Sequence, residues 1–188
     1  MKILVTGATG FVGSHVVRKL LKEGYTVRIL RRKDSSLKMV GGLAVETAIG
    51  DVTDRKSVLE AVQGCEAVFH VAGHVSFWKG NNEVQRRVNV DGTRNVVEAC
   101  LAKKVGRLVH TSSIAAIGFA PDEKLATEEV AFNWWPYRVN YCNTKYLAEE
   151  EVREGIKKGL DAVIVNPAMI FGPGDLNLHA GAMVFQMA

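Results

Sequence analysis

Three cysteines in 188 residues, Cys65, Cys100 and Cys142, form an odd and scattered set. They exclude a disulfide framework, no two of them have metal-ligand spacing, and they read as free thiols of a reducing compartment. No apolar run approaches the ~20 residues that a membrane helix needs. A cleavable leader is not expected either, because Met1-Lys2 passes at once into Ile3-Leu4-Val5 and then glycines. The net charge is +4, but Lys and Arg are spread along the chain apart from one short cluster, Arg31-Arg32-Lys33. A nucleic-acid binder would gather them into a stripe. There are no internal repeats and no low-complexity segments. These absences point to a cytoplasmic protein with neither a nucleic-acid nor a membrane partner. The 47% hydrophobic and 23% charged residues suffice for a core without a staple. The length fits one domain, or one domain plus a fragment of another.

What is present is alternation. Short apolar runs at Lys2 to Thr6, Tyr25 to Leu30, Ala44 to Ile49, Glu66 to His70, Arg107 to Thr111 and Asp161 to Val165 read as strands. Between them lie amphipathic stretches. Phe11 to Glu23 puts Val12, Val16, Val17, Leu20 and Leu21 on one face and is closed by Gly24. A second helix is capped by Thr53 or Asp54 and runs to about Val62, with Gly64 after it; longer ones span Val84 to Lys103 and Tyr137 to Lys157. Lys79 to Asn82 and Phe119 to Trp135 read as irregular. Nearly all-apolar strands alternating with helices predict an α/β fold with a doubly wound parallel sheet covered on both faces.

Between the first strand and first helix stands Thr6-Gly7-Ala8-Thr9-Gly10-Phe11-Val12-Gly13, a GxxGxxG spacing. Gly7 allows a tight turn, Gly10 lets backbone approach a pyrophosphate at the positive end of the helix, and Gly13 lets helix and sheet pack closely. The strand-loop-helix context makes this pattern informative, and the absence of a following Gly-Lys-Ser/Thr excludes a P-loop. The end of the second strand selects the dinucleotide: an acidic residue there suits a ribose 2′-hydroxyl, an Arg suits a 2′-phosphate. Leu30 is followed by Arg31, Arg32 and Lys33, so NADP(H) is the expected cofactor, with NAD(H) as the alternative.

The deciding feature is Tyr141-Cys142-Asn143-Thr144-Lys145, a Tyr and a Lys one helical turn apart. It follows Thr111-Ser112-Ser113 at the end of the fifth strand. With Gly50-Asp51-Val52-Thr53-Asp54, Val68 to Gly73, Asn89 to Asn95 and Asn166 to Gly174, this set resembles the extended short-chain dehydrogenase/reductases. That is the NAD(P)-dependent epimerase/dehydratase group, and within it the dihydroflavonol reductase-like and 3β-hydroxysteroid dehydrogenase-like proteins. The resemblance covers essentially the whole chain. It implies a Rossmann fold and a catalytic set of Ser113, Tyr141 and Lys145. Tyr141 would exchange a proton with a carbonyl or alcohol oxygen, with its ordinary value of about 10 lowered by the Lys145 cation. Lys145 would also hold the nicotinamide ribose, and Ser113 would hydrogen-bond the reacting oxygen, with Ser112 as its competitor. The resemblance further implies that Asp51 and Val52 face adenine, that Val71, Ala72 and Gly73 line ribose and pyrophosphate, that Thr111 lies on the cofactor side of its strand, and that Pro167 to Ile170 lie beside the nicotinamide. Asn89 is either a helix cap or a structural asparagine. His70, His74 and His110 lack a Cys or carboxylate to complete a metal site.

The resemblance divides the chain into a dinucleotide-binding domain, 1–170, and the start of a truncated substrate lobe, 171–188, with a helix beginning at Ala182 to Met187. His74 to Trp78 and Phe132 to Pro136 carry aromatics that line an apolar substrate pocket or cover the sheet edge, Trp134-Trp135 being the better pocket candidate. The expected substrate is a small carbonyl or alcohol, and the resemblance suggests a homodimer on the two long helices. Three other readings stay open. One is an NAD-dependent nucleotide-sugar epimerase or dehydratase, another a non-catalytic dinucleotide sensor, and the last a fragment that binds cofactor without turnover.

Overall fold

The computed structural model describes residues 1–120 and 125–176. The expected helix at 182–187, and most of the expected substrate lobe, lie outside the described residues. The strands are β1 (Lys2–Thr6), β2 (Thr26–Arg31), β3 (Glu46–Ile49), β4 (Ala67–His70), β5 (Arg107–Thr111) and β6 (Ala162–Val165). They form one sheet in the order β3-β2-β1-β4-β5-β6, with every neighbouring pair parallel. The helices are α1 (Phe11–Lys22), α2 (Arg55–Val62), α3 (Asn82–Arg86), α4 (Gly92–Ala102) and α5 (Asn140–Lys157).

Strand alternation builds two cores. Leu4, Leu30, Val68 and Leu108 meet Val58, Val62, Val96, Val97 and Val152 from α2, α4 and α5. Ile3, Val5, Val27 and Ile29 point the other way, onto Val17 and Leu20 of α1. Strand order reverses between β1 and β4, and in such sheets the crevice at the carboxyl ends there is where ligands bind. Gly7, Ala72, Ser113 and Asn166 all follow strands at that end.

Two helices differ from the sequence reading. The stretch read as one helix from Val84 starts at Asn82 and is broken by a π turn at Arg87–Asp91 between α3 and α4. The last helix starts at Asn140, because Trp135–Tyr137 is a separate 3-10 turn. Arg138 follows it at φ +53, a left-handed conformation no α-helix can run through. Between Thr53 and Asp54, Asp54 is the cap of α2, its carboxylate accepting from the Lys56 N–H at 3.1 Å.

Candidate active site

The loop after β1 is shaped for close backbone approach. Gly7 has φ +68, and a Cβ there would lie 2.6 Å from the Ala72 nitrogen. A Cβ on Gly13 would lie 2.2 Å from the Gly7 carbonyl oxygen. Only glycines let α1 pack on its own entry turn while that turn packs on the loop after β4. Gly10 caps α1 without a side chain of its own, leaving the first backbone N–H groups available.

A buried chain of hydrogen bonds runs behind this loop. The Thr93 hydroxyl donates to the Asn89 carbonyl at 2.6 Å. His70 Nε2 therefore donates to Thr93 Oγ1 at 3.0 Å, which leaves Nδ1 to accept the Thr6 hydroxyl at 2.7 Å. Thr6 Oγ1 in turn accepts the Ala72 N–H at 3.2 Å. Burial holds His70 in this neutral form, its pKa pushed down to about 3.

Asn89 is a structural asparagine and not a cap. It sits in the π turn, its Oδ1 accepting the His74 N–H at 2.7 Å and its Nδ2 donating to the His74 carbonyl and to Thr144 Oγ1, both at 3.1 Å. Gln85 donates to the His74 and Ser76 carbonyls at 3.2 and 2.9 Å. The loop after β4 is thereby tied to α3, the π turn and α5. A Cβ on Gly73 would lie 3.9 Å from Lys145 Nζ, so this loop passes beside the Lys145 amine.

Tyr141 and Lys145 lie on one face of α5, one turn apart. The Lys145 amine is 6% exposed and donates to the Thr111 carbonyl at 2.9 Å. Burial brings it down to about 8, with the Glu149 carboxylate opposing the drop. The Ser113 side chain accepts the Ala115 N–H at 3.1 Å and lies near enough to the Tyr141 hydroxyl to favour the phenolate, but burial outweighs it and pushes the phenol up. The expected lowering of Tyr141 by Lys145 is therefore corrected. The amine is turned onto the β5 carbonyl, and desolvation of a buried phenolate dominates.

The neighbouring Ser112 has a different partner: its hydroxyl donates to Glu149. Glu149, which the sequence reading missed, also accepts from Asn166 Nδ2 at 2.6 Å and pairs with Arg153 at 2.7 Å. Its signal was present in the spacing, since Tyr141, Lys145 and Glu149 continue one helical face.

The basic cluster divides. Arg31 folds onto the Arg32 and Lys33 carbonyls at 3.0 and 3.2 Å, and its Nε is buried without a hydrogen-bond partner among the described residues. Arg32 pairs with Asp34 at 3.6 Å, both exposed; Asp34 is a second residue the sequence reading overlooked. In the turn after β3, Asp51 Oδ1 accepts the Thr53 N–H and hydroxyl, both at 2.8 Å, and Val52 is buried. The segment after β6 closes the other side. The Pro167 carbonyl accepts the Ile114 N–H at 3.1 Å, Ile170 is half-buried, and a Cβ on Gly172 would lie 3.3 Å from the Phe11 ring.

Of the aromatic stretches, Phe77 reaches Tyr141. The rings meet edge to face at 5.7 Å, and Phe77 is 76% exposed. Trp134 packs on Phe119 and Tyr137 and donates to the Ile117 carbonyl at 2.9 Å, while Trp135 packs on Phe132 and Tyr146. The tryptophan pair thus ties its loop to α5 and to the segment after β5, while Phe77 of the other stretch lies against Tyr141. Among the described residues no three His, Cys, Asp or Glu side chains gather as a metal site, and no helix is long and apolar enough to cross a membrane.

The model of the NAD dependent epimerase/dehydratase family matches residues 3–188. The chain belongs to this family. Within it, a Synechocystis sp. protein provisionally named dihydroflavonol 4-reductase is 40% identical over 172 residues, which are 92% of this chain and 50% of that protein. The crystal structure of gox2253 superposes with a TM-score of 0.88 at 37% identity, over 97% of this chain and 56% of that one. A short-chain dehydrogenase/reductase superfamily protein from Agrobacterium tumefaciens, solved with bound NAD, gives 0.71 at 30% identity, over 88% and 48%. The chain spans about half the length of the curated family members it matches.

Proposed function

We propose that the protein is an NADP(H)-dependent oxidoreductase that moves hydride to or from a ketone or secondary alcohol, with Tyr141 as general acid/base assisted by Lys145 and Ser113. The carrying observation is the gathering of Ser113 and Tyr141, the serine near enough to bear on the phenol, beside an amine anchored on the β5 carbonyl. The relative named as a dihydroflavonol reductase supports the reductase side of the family.

The site fits a dinucleotide on its own terms. Gly7 and Gly13 leave no room for a Cβ, and Arg31 keeps a buried N–H without a partner among the described residues. Gly7, Thr9, Gly10, Phe11 and Val12 would hold the pyrophosphate at the start of α1. Arg31 and Arg32 would hold the 2′-phosphate, and Asp51 and Val52 the adenine. Val71, Ala72, Gly73, Thr111, Tyr141, Lys145, Pro167 and Ile170 would line the remainder. When bound, the nicotinamide supplies or takes the hydride.

This chain's residues handle the proton. A phenol pushed up by burial is fully protonated at neutral pH, the form that donates to a carbonyl oxygen. Ser113 is placed to hydrogen-bond that oxygen, and the Lys145 charge one turn away favours the phenolate left behind. Phe77 presents an apolar edge next to the phenol. In this reading 1–170 binds the dinucleotide, and 171–188 begins the part that encloses substrate. The Arg32–Asp34 pair favours a second reading: a carboxylate beside the Arg cluster competes with a 2′-phosphate, as an NAD-using epimerase or dehydratase would require.

Parallel titration with NADPH and NADH, followed by tryptophan quenching, separates the two. A preference for NADPH above about tenfold, or ~1.4 kcal/mol, that collapses in Arg32→Ala supports the first reading; a preference for NADH supports the second. Tyr141→Phe should abolish ketone reduction and spare cofactor binding, and unchanged turnover would remove Tyr141 from the chemistry.

A further inference from the structure

We propose that Glu149 is the charge partner and positioning residue of the active-site helix: its one buried carboxylate faces Lys145 along α5 and clamps the ends of β5 and β6 through Ser112 and Asn166. The inference rests on the reading of Tyr141 and Lys145 as the working pair.

Three observations carry it. Glu149 is 3% exposed and sits one turn beyond Lys145 on the same helical face. Its carboxylate takes the Ser112 hydroxyl and the Asn166 amide, and Asn166 also donates to the Ser113 carbonyl at 3.0 Å. A single acidic group thus spans the helix that bears Tyr141 and the strand end that bears Ser113. Among the described residues the one cation bonded to it is Arg153, at 2.7 Å and itself also paired with Glu150 at the surface.

The surroundings of Lys145 leave this role to Glu149. From β4 and β5 the sheet presents His70 and His110, and burial keeps both imidazoles neutral at ordinary pH. On α5 itself, Tyr141 is a neutral phenol. An ammonium buried among neutral groups sheds its proton unless a negative charge compensates, and the Glu149 carboxylate is that charge. Arg153 weakens it from the solvent side.

This arrangement makes an unusual prediction of opposite signs. The Lys145 side chain is followed by NMR of 13C-lysine-labelled protein across pH, its signal assigned by its disappearance in Lys145→Met. Glu149→Gln keeps the shape of the hydrogen-bonded group and removes its charge, so the Lys145 midpoint should fall by about one pH unit or more. Arg153→Gln removes the competing cation, so the midpoint should rise. A merely structural role for Glu149 would loosen the site and move the midpoint upward, toward ordinary lysine, in both variants. A Lys145 midpoint that rises or stays in folded Glu149→Gln overturns the proposal. If circular dichroism shows that Glu149→Gln does not fold, Arg153→Gln decides: a rise with an unchanged melt supports the proposal, and no rise overturns it. The readout needs no turnover. Failure of the oxidoreductase reading, seen as full activity in Tyr141→Phe, is therefore distinguishable from failure here.

Discussion

Ser112 and Ser113 are adjacent in the chain, yet their hydroxyls serve different partners: Ser112 donates to the buried carboxylate of Glu149, and Ser113 accepts the Ala115 N–H and lies near the hydroxyl of Tyr141. Strand geometry explains the split, because successive side chains leave an extended backbone on opposite faces, and Ser113 is still extended at φ −164.

The two serines should therefore fail in different ways. Ser113→Ala should lower kcat for ketone reduction by about 100-fold or more and cost about 1 kcal/mol for the lost bond to the Ala115 N–H. Ser112→Ala should leave a buried carboxylate short of a donor, costing about 1–3 kcal/mol in urea unfolding. Steady-state kinetics and denaturation of both variants check this. Equal kinetic losses would mean that Ser113 has no special tie to the reacting oxygen.

The turn after β1 should tolerate no side chain at Gly13. A Cβ there would meet backbone, at the Gly7 carbonyl, and backbone cannot step aside as a flexible side chain can. Gly13→Ala should cost about 1–3 kcal/mol and weaken dinucleotide binding at the same time. A wild-type melt with wild-type binding would show that α1 can move off its own entry turn.

His70 should make the fold sensitive to mild acid. Its folded pKa of about 3 lies below the ordinary 6.5. The unfolded chain therefore takes up the proton first, and stability falls as pH drops below 6.5. The loss is about 2 kcal/mol at pH 5. His110 acts in the same direction. His70→Gln should be less stable than wild type at pH 7.5, because its hydrogen-bond chain is broken, but should lose less on going to pH 5. Urea titrations at the two pH values test this; an unchanged difference between them would mean that His70 does not titrate on unfolding.

Much of this protein was legible in one dimension because its determinants are local. The βαβ order follows from apolar runs and helical spacing, and the turn after β1 follows from three glycines between a strand and a helix. Tyr141 and Lys145 share a face because four residues make about one helical turn. The boundaries that slipped are those where backbone departs from its simple period, at the π turn near Asn89 and at left-handed Arg138.

Only tertiary structure decided which serine meets Tyr141, which aromatic stands beside it, and what Lys145 and His70 bond. Phe77 and Tyr141 are 64 residues apart, as are Thr6 and His70, and no local pattern encodes such pairs. The direction of the Tyr141 shift was equally hidden. Sequence spacing showed a nearby cation, but its amine is turned onto the β5 carbonyl and desolvation sets the direction, and burial is a property of the packed chain.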